Sequence, residues 1–127
     1  MKRKGLVFLV VTALLLCLLT GNVFAVTSDR RQYKTYYMIS SVDHYGTTGT
    51  CTCNGNPVNP GYTPASVGVS IYATAYNAVG SGIGQGSASG TITCYYGQVQ
   101  AVINPGQQVY GMGGVVSYGN NVINLRD

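Results

Sequence analysis

VGVSIYATAYNAV, residues 67–79, is the stretch on which the fold turns. Val67, Val69, Ile71, Ala73, Ala75 and Val79 fall on one side of an extended chain, and Ser70, Tyr72, Thr74 and Tyr76 on the other. An apolar period of two marks a half-buried β-strand, because successive side chains of a strand point to opposite faces.

The same pattern recurs outward from that segment. KTYYMISSV (34–42) and TITCYY (91–96) read as strands, and QVQAVIN (98–104) follows Gly97 closely enough for a bulge within one longer strand. QQVYGMGGVVSYG (107–119) and NVINL (121–125) complete the set. NGNPVNPGYTP, GSGIGQGSASG, NPG and GNN separate them with turn-forming residues. Leu125 is the one leucine after residue 25, whereas Val, Ile, Thr and Tyr abound, so helix is disfavoured there. The expected fold is all-β: a small antiparallel β-sandwich or barrel of about six short strands, after a cleaved N-terminal signal helix. NPG recurs at 59–61 and 104–106, and VIN at 102–104 and 122–124, but composition this biased produces such echoes by chance.

The leader is read from order. Lys2, Arg3 and Lys4 precede the apolar run 6–20, Gly21 and Asn22 break it, and Val23-Phe24-Ala25 offers a small residue for cleavage. That order predicts a secretory signal peptide over 1–25, and its apolar run, 6–20, is shorter than the roughly 20 residues that span a bilayer. Leu16 before Cys17 does not fit a lipoprotein site. Residues 26–33 then form a flexible basic tail and 34–127 a single β-domain. The chain should be secreted, extracellular or at the cell surface, touching a membrane only through the leader.

Lys2, Arg3 and Lys4 contribute three charges to a formal net charge of +4, so the basicity is no argument for nucleic acid. Asp29, Asp43 and Asp127 are the only acidic side chains, and both phenylalanines (Phe8 and Phe24) fall in the leader. All 11 tyrosines lie beyond it. Some of these rings must replace phenylalanine in the core. Tyr72 and Tyr76, with Tyr95, Tyr110 and Tyr118 from neighbouring strands, are the candidates for an exposed binding row.

Cys51, Cys53 and Cys94 remain after the leader, an odd number in a compartment that permits disulfides. Alternation places Cys51 and Cys53 on one face, and Asn54 begins a run of turn formers. The expectation is a Cys51–Cys94 disulfide with Cys53 as an exposed spare thiol and the source of any covalent dimer. Such a bridge would stabilise by roughly 4 kcal/mol if chain entropy is the mechanism. A metal centre is not expected, since the C-x-C spacing and single His44 lack the zinc pattern, and no cofactor is implied.

Catalytic constellations are thin. Asp43 and His44 are adjacent and would point to opposite faces, so Asp43 should bond nearby backbone amides instead. Gly80, Gly82, Gly84 and Gly86 alternate strictly, which is neither a dinucleotide fingerprint nor a P-loop. The sequence therefore points to a non-enzymatic domain acting by surface contact, an extracellular assembly or adhesion component whose partner is itself or a cell-surface glycan. The alternative is a small antibacterial or toxin-like effector at a cell envelope, motivated by size and by Arg30, Arg31 and Lys34.

Overall fold

The computed structural model describes residues 27–61 and 65–127; the leader and its cleavage site lie outside the described residues. Eight strands follow one another: β1 (Ser28–Tyr33), β2 (Tyr36–Tyr45), β3 (Thr48–Pro57), β4 (Val67–Tyr76), β5 (Gly82–Ile92), β6 (Gly97–Ile103), β7 (Gly111–Tyr118) and β8 (Asn121–Arg126). They form two antiparallel sheets of four, in the orders β1-β2-β3-β6 and β5-β4-β7-β8. No helix occurs among the described residues.

Alternation decides what each strand buries. On β4, Val67, Val69, Ile71, Ala73 and Ala75 are buried while Gly68, Ser70 and Tyr72 are exposed. Tyr36, Met38, Ser40 and Val42 turn inward from β2, and Val99, Ala101 and Ile103 from β6. Both sheets contribute to one core. Each fully buried Val or Ile there supplies about 1.5–3 kcal/mol. A Cβ added to Gly114 of β7 would lie 2.6 Å from Cys51 Sγ and 3.1 Å from Val42 Cγ1, so the sheets meet backbone-close at that glycine. The Tyr33 and Tyr118 rings, 5.4 Å between centroids, join β1 to the other sheet.

Among the described residues eight strands rather than six are present: β1, β3 and β5 are added, and the expected TITCYY strand merges into the end of β5. Residues 28–33 are not a tail: β1 pairs with β2 from Ser28↔Ser41 to Tyr33↔Tyr36, and Arg31 Nε donates to Asp29 Oδ1 at 2.8 Å. GSGIGQGSASG is not a separator but most of β5. Its glycines make room: a Cβ at Gly84 or Gly86 would meet Ile103, and one at Gly90 would meet Val99. Asn54–Pro57 belong to β3, because pairing with β2 on one side and β6 on the other outweighs local turn preference.

TITCYY divides at Ile92. The strand ends there, and Thr93–Tyr96 form an exposed turn into β6, whose first residue is Gly97. Both NPG segments do act as turns. Gly61 (φ 110°) and Gly106 (φ 79°) take the left-handed region that glycine enters without a Cβ clash.

Candidate functional site

At one end of the molecule β2 finishes beside the C-terminal residue. His44 follows Val42 on the inward side of its strand, and Asp127 continues the inward series Ile123, Leu125 of β8. His44 Nδ1 donates to Asp127 Oδ2 at 2.6 Å. Met112 N–H donates to the other carboxylate oxygen, Oδ1. Asp127 N–H in turn donates to Met112 O at 3.0 Å. One carboxylate thus ties β2 of the first sheet to β7 and β8 of the second.

A shallow cleft of about 280 Å³ adjoins this pair, lined by Asp43, His44, Tyr45, Thr48 and Thr50. Three hydroxyls and an imidazole oriented through Nδ1 give it hydrogen-bonding capacity. Asp43 Oδ1 accepts from the backbone N–H of His44 at 2.9 Å, the role expected for it. Sequence adjacency does not reveal the Asp127 partner, which is 83 residues away. His44 and Asp127 both stand an even number of residues from buried positions on their strands, and that signal would have placed them inward. No group of three or more potential metal ligands occurs among the described residues.

The cysteines correct the expected disulfide. Cys51 and Cys53 do share the inward face of β3 and are fully buried, but Cys94 is exposed in the turn after β5. All three are free and not at bonding distance. The bridge fails because the chain turns outward after Ile92 instead of carrying Cys94 into the sheet. Nor is Cys53 an exposed spare thiol: it pairs with Ser40 on β2 and Val99 on β6, mid-sheet. Ser40 Oγ donates to Cys53 Sγ at 3.6 Å. Burial, and secondarily the neighbouring Cys53, push the Cys51 thiol up to about 11. Burial also raises Cys53, partly offset by the Ser40 hydroxyl. These are protonated core thiols with little nucleophilic character.

The five candidate tyrosines do not form one row. Tyr72 and Tyr110 are exposed, and Tyr76 is half-buried because Arg126 lies 4.0 Å over its ring. That ring lies across Gly113, where an added Cβ would sit 3.0 Å from Tyr76 Cε2. Tyr95 is exposed but sits in the turn after Ile92, at the opposite end of β4 from Tyr76. Tyr118 faces the core and is 1% exposed, since it shares the inward side of β7 with Met112, Gly114 and Val116. Tyr36 and Tyr118 are the rings that replace phenylalanine, and neither hydroxyl finds a partner among the described residues. Among the described residues Tyr45 and Tyr96, not anticipated as surface rings, are the most exposed tyrosines, at 90% and 77%.

Among the described residues, charge is confined to β1, β2, β8 and the segments that flank the strands. β3, β4, β5, β6 and β7 contain no Asp, Glu, Lys or Arg. Thr48, Thr50, Thr52, Asn54 and Asn56 take the outward side of β3, and Gln100 Nε2 donates to Thr52 Oγ1 at 3.1 Å across to β6. Ser70, Tyr72 and Thr74 of β4 stand beside Ser89, Ser87 and Gln85 of β5. Both sheets therefore present hydroxyls and amides outward.

Fold and surface together define an all-β protein of two four-stranded antiparallel sheets with neutral polar faces. Comparison with known proteins finds no matching family model, curated protein or solved structure.

Proposed function

We propose that the chain is a secreted, non-enzymatic β-sandwich domain that works by surface contact, as an extracellular assembly or adhesion component. The observation that carries this is the run of five consecutive strands without a charged side chain, whose outward positions are mostly Thr, Ser, Asn and Gln, with the exposed side chains of Tyr72 and Val102 among them. Such faces match neutral partners rich in hydroxyl and amide groups, either a glycan or another copy of the chain. Tyrosine supplies apolar contact and a hydrogen bond from one side chain.

The basic residues that motivated an effector reading are tied down. Arg31 pairs with Asp29, and Arg30 lies 4.2 Å over the Tyr37 ring. Export rests on the leader, where Lys2, Arg3 and Lys4 precede the apolar run.

Two measurements on the purified protein test the reading: sedimentation velocity over a concentration series, and retention on the insoluble neutral polysaccharides cellulose and chitin. Self-association, or retention that Tyr72→Ala weakens, supports surface contact. A monomer retained on neither, with a turnover abolished by His44→Ala, replaces it with an enzyme.

A further inference from the structure

Among the described residues, each sheet ends in strands whose outer backbone edge has no hydrogen-bonded neighbour in the sheet order: β1 and β6 in one, β5 and β8 in the other. An open edge offers N–H and C=O groups to any other strand, and proteins guard such edges with charge, proline or short length. β1 carries Asp29, Arg30 and Arg31. β8 has six residues and ends in Arg126, next to the fastened Asp127. β6 has seven. β5 is the longest strand, with 11 residues, GIGQGSASGTI, and it contains neither charge nor proline.

That edge is held in strand form without a partner strand among the described residues. β4 fixes it from Val67↔Ile92 to Ala75↔Gly84. On its inner face Ile103 and Pro105 lie within 3.2 Å of the Cβ positions of Gly84 and Gly86. A partner strand would meet a preorganised template and would not have to order it.

The sequence of β5 says which partner fits. In an antiparallel pair of two copies centred on Ser87, Gly86 stands opposite Ala88, Gln85 opposite Ser89, and Gly84 opposite Gly90. Across residues 84–90 every outward position then pairs hydroxyl or amide with hydroxyl or amide, and every inward position pairs glycine with glycine or alanine; at the two ends Ile83 faces Thr91 and Gly82 faces Ile92. No like charges oppose and no bulky side chains collide, and one two-fold axis satisfies both copies.

We infer that the free edge of β5 is a homodimerisation surface, through which two copies join their four-stranded sheets into one continuous antiparallel sheet. This rests on the surface-contact reading and names its partner as a second copy.

Ser87 is exposed, so charge can be placed there without disturbing the core. The test uses Ser87→Lys and Ser87→Glu, each checked by circular dichroism for native fold, in sedimentation velocity across a concentration series. The wild-type protein should show concentration-dependent dimers. Each variant alone should associate about tenfold or more weakly, because like charges face each other at the axis. An equimolar mixture of the two should recover the dimer, since Lys then faces Glu. Wild-type dimers that both variants leave unchanged, or a mixture no more associated than its components, place the contact elsewhere and overturn the inference. A wild-type monomer at every concentration overturns it too. Polysaccharide retention weakened by Tyr72→Ala would then show that surface contact stands while the β5 pairing fails.

Discussion

His44 and Asp127, 83 residues apart in sequence, meet at 2.6 Å between imidazole Nδ1 and carboxylate Oδ2, and through them the end of β2 is fastened to the end of the chain. Both side chains are partly buried, at 31% and 14% exposure. A pair in that setting is coupled but not dominant. His44→Ala and Asp127→Asn should each destabilise, with a coupling of about 1 kcal/mol in a urea double-mutant cycle. Independent effects would deny the pair any role as a clasp. If the protein works by surface contact, polysaccharide retention should survive His44→Ala once the loss of stability is allowed for.

The period-two pattern of β4 was legible because its apolar residues are large enough to register as apolar. β5 was not, although Gly82, Gly84 and Gly86 obey the same period. Its inward side chains are missing because Ile103 and Pro105 occupy their place, so the strand is recorded as absence. The site suffered similarly. Adjacency in sequence brings Asp43 beside His44, whereas the side chain that bonds the imidazole, Asp127, follows the last strand. The face shared by Cys51 and Cys53 followed from local geometry, but their distance from Cys94 depends on where β5 ends, a tertiary matter. Tyr118 looked like surface until its parity with Met112 and Val116 turned it inward.

Thiol accessibility follows from the same placement. In native protein Cys94 should react readily with a thiol reagent such as a maleimide, while Cys51 and Cys53 should react only after denaturation. Cys94→Ser should cost little stability. Cys51→Ser should cost about 1–3 kcal/mol, because it sets a hydroxyl into an apolar site. Intact-mass analysis of labelled protein, with and without denaturant, distinguishes these. Rapid native labelling of Cys53 would contradict its burial.

Alkaline pH should unfold the protein through its buried acids. Cys51 titrates from an ordinary 9.0 up to about 11, and Tyr118 from 10.0 up to about 12, burial being the first cause in each. Both are neutral when protonated, and the native state holds those protons more tightly than the unfolded chain. Their contribution is therefore full below pH 9 and is lost as pH climbs toward 11 and 12. Tyr118→Phe removes one of these groups together with a hydroxyl that has no partner among the described residues. It should raise stability at neutral pH by about 1 kcal/mol and flatten the decline above pH 10. Chemical denaturation at stepped pH measures both, and an unchanged alkaline slope in the variant would remove Tyr118 from the account.

The tightest approach of the two sheets can be probed at Gly114. An added methyl there would lie 2.6 Å from Cys51 Sγ and 3.1 Å from Val42 Cγ1, both fixed in the core, so Gly114→Ala should destabilise by about 1–3 kcal/mol. Gly68 is the control: it lies on the exposed face of β4 with no atom within 4 Å of a new Cβ. Gly68→Ala should be neutral or stabilising by up to about 1 kcal/mol, through reduced freedom of the unfolded chain. The decisive variant combines Gly114→Ala with Cys51→Ala. Removing Sγ leaves Cys51 Cβ at 3.4 Å, an ordinary contact, so the new methyl fills the space that sulfur vacates. The double variant should then be more stable than the sum of the single losses by about 1 kcal/mol or more. Strict additivity in thermal and urea unfolding would mean that Gly114 and Cys51 do not touch across the sheets.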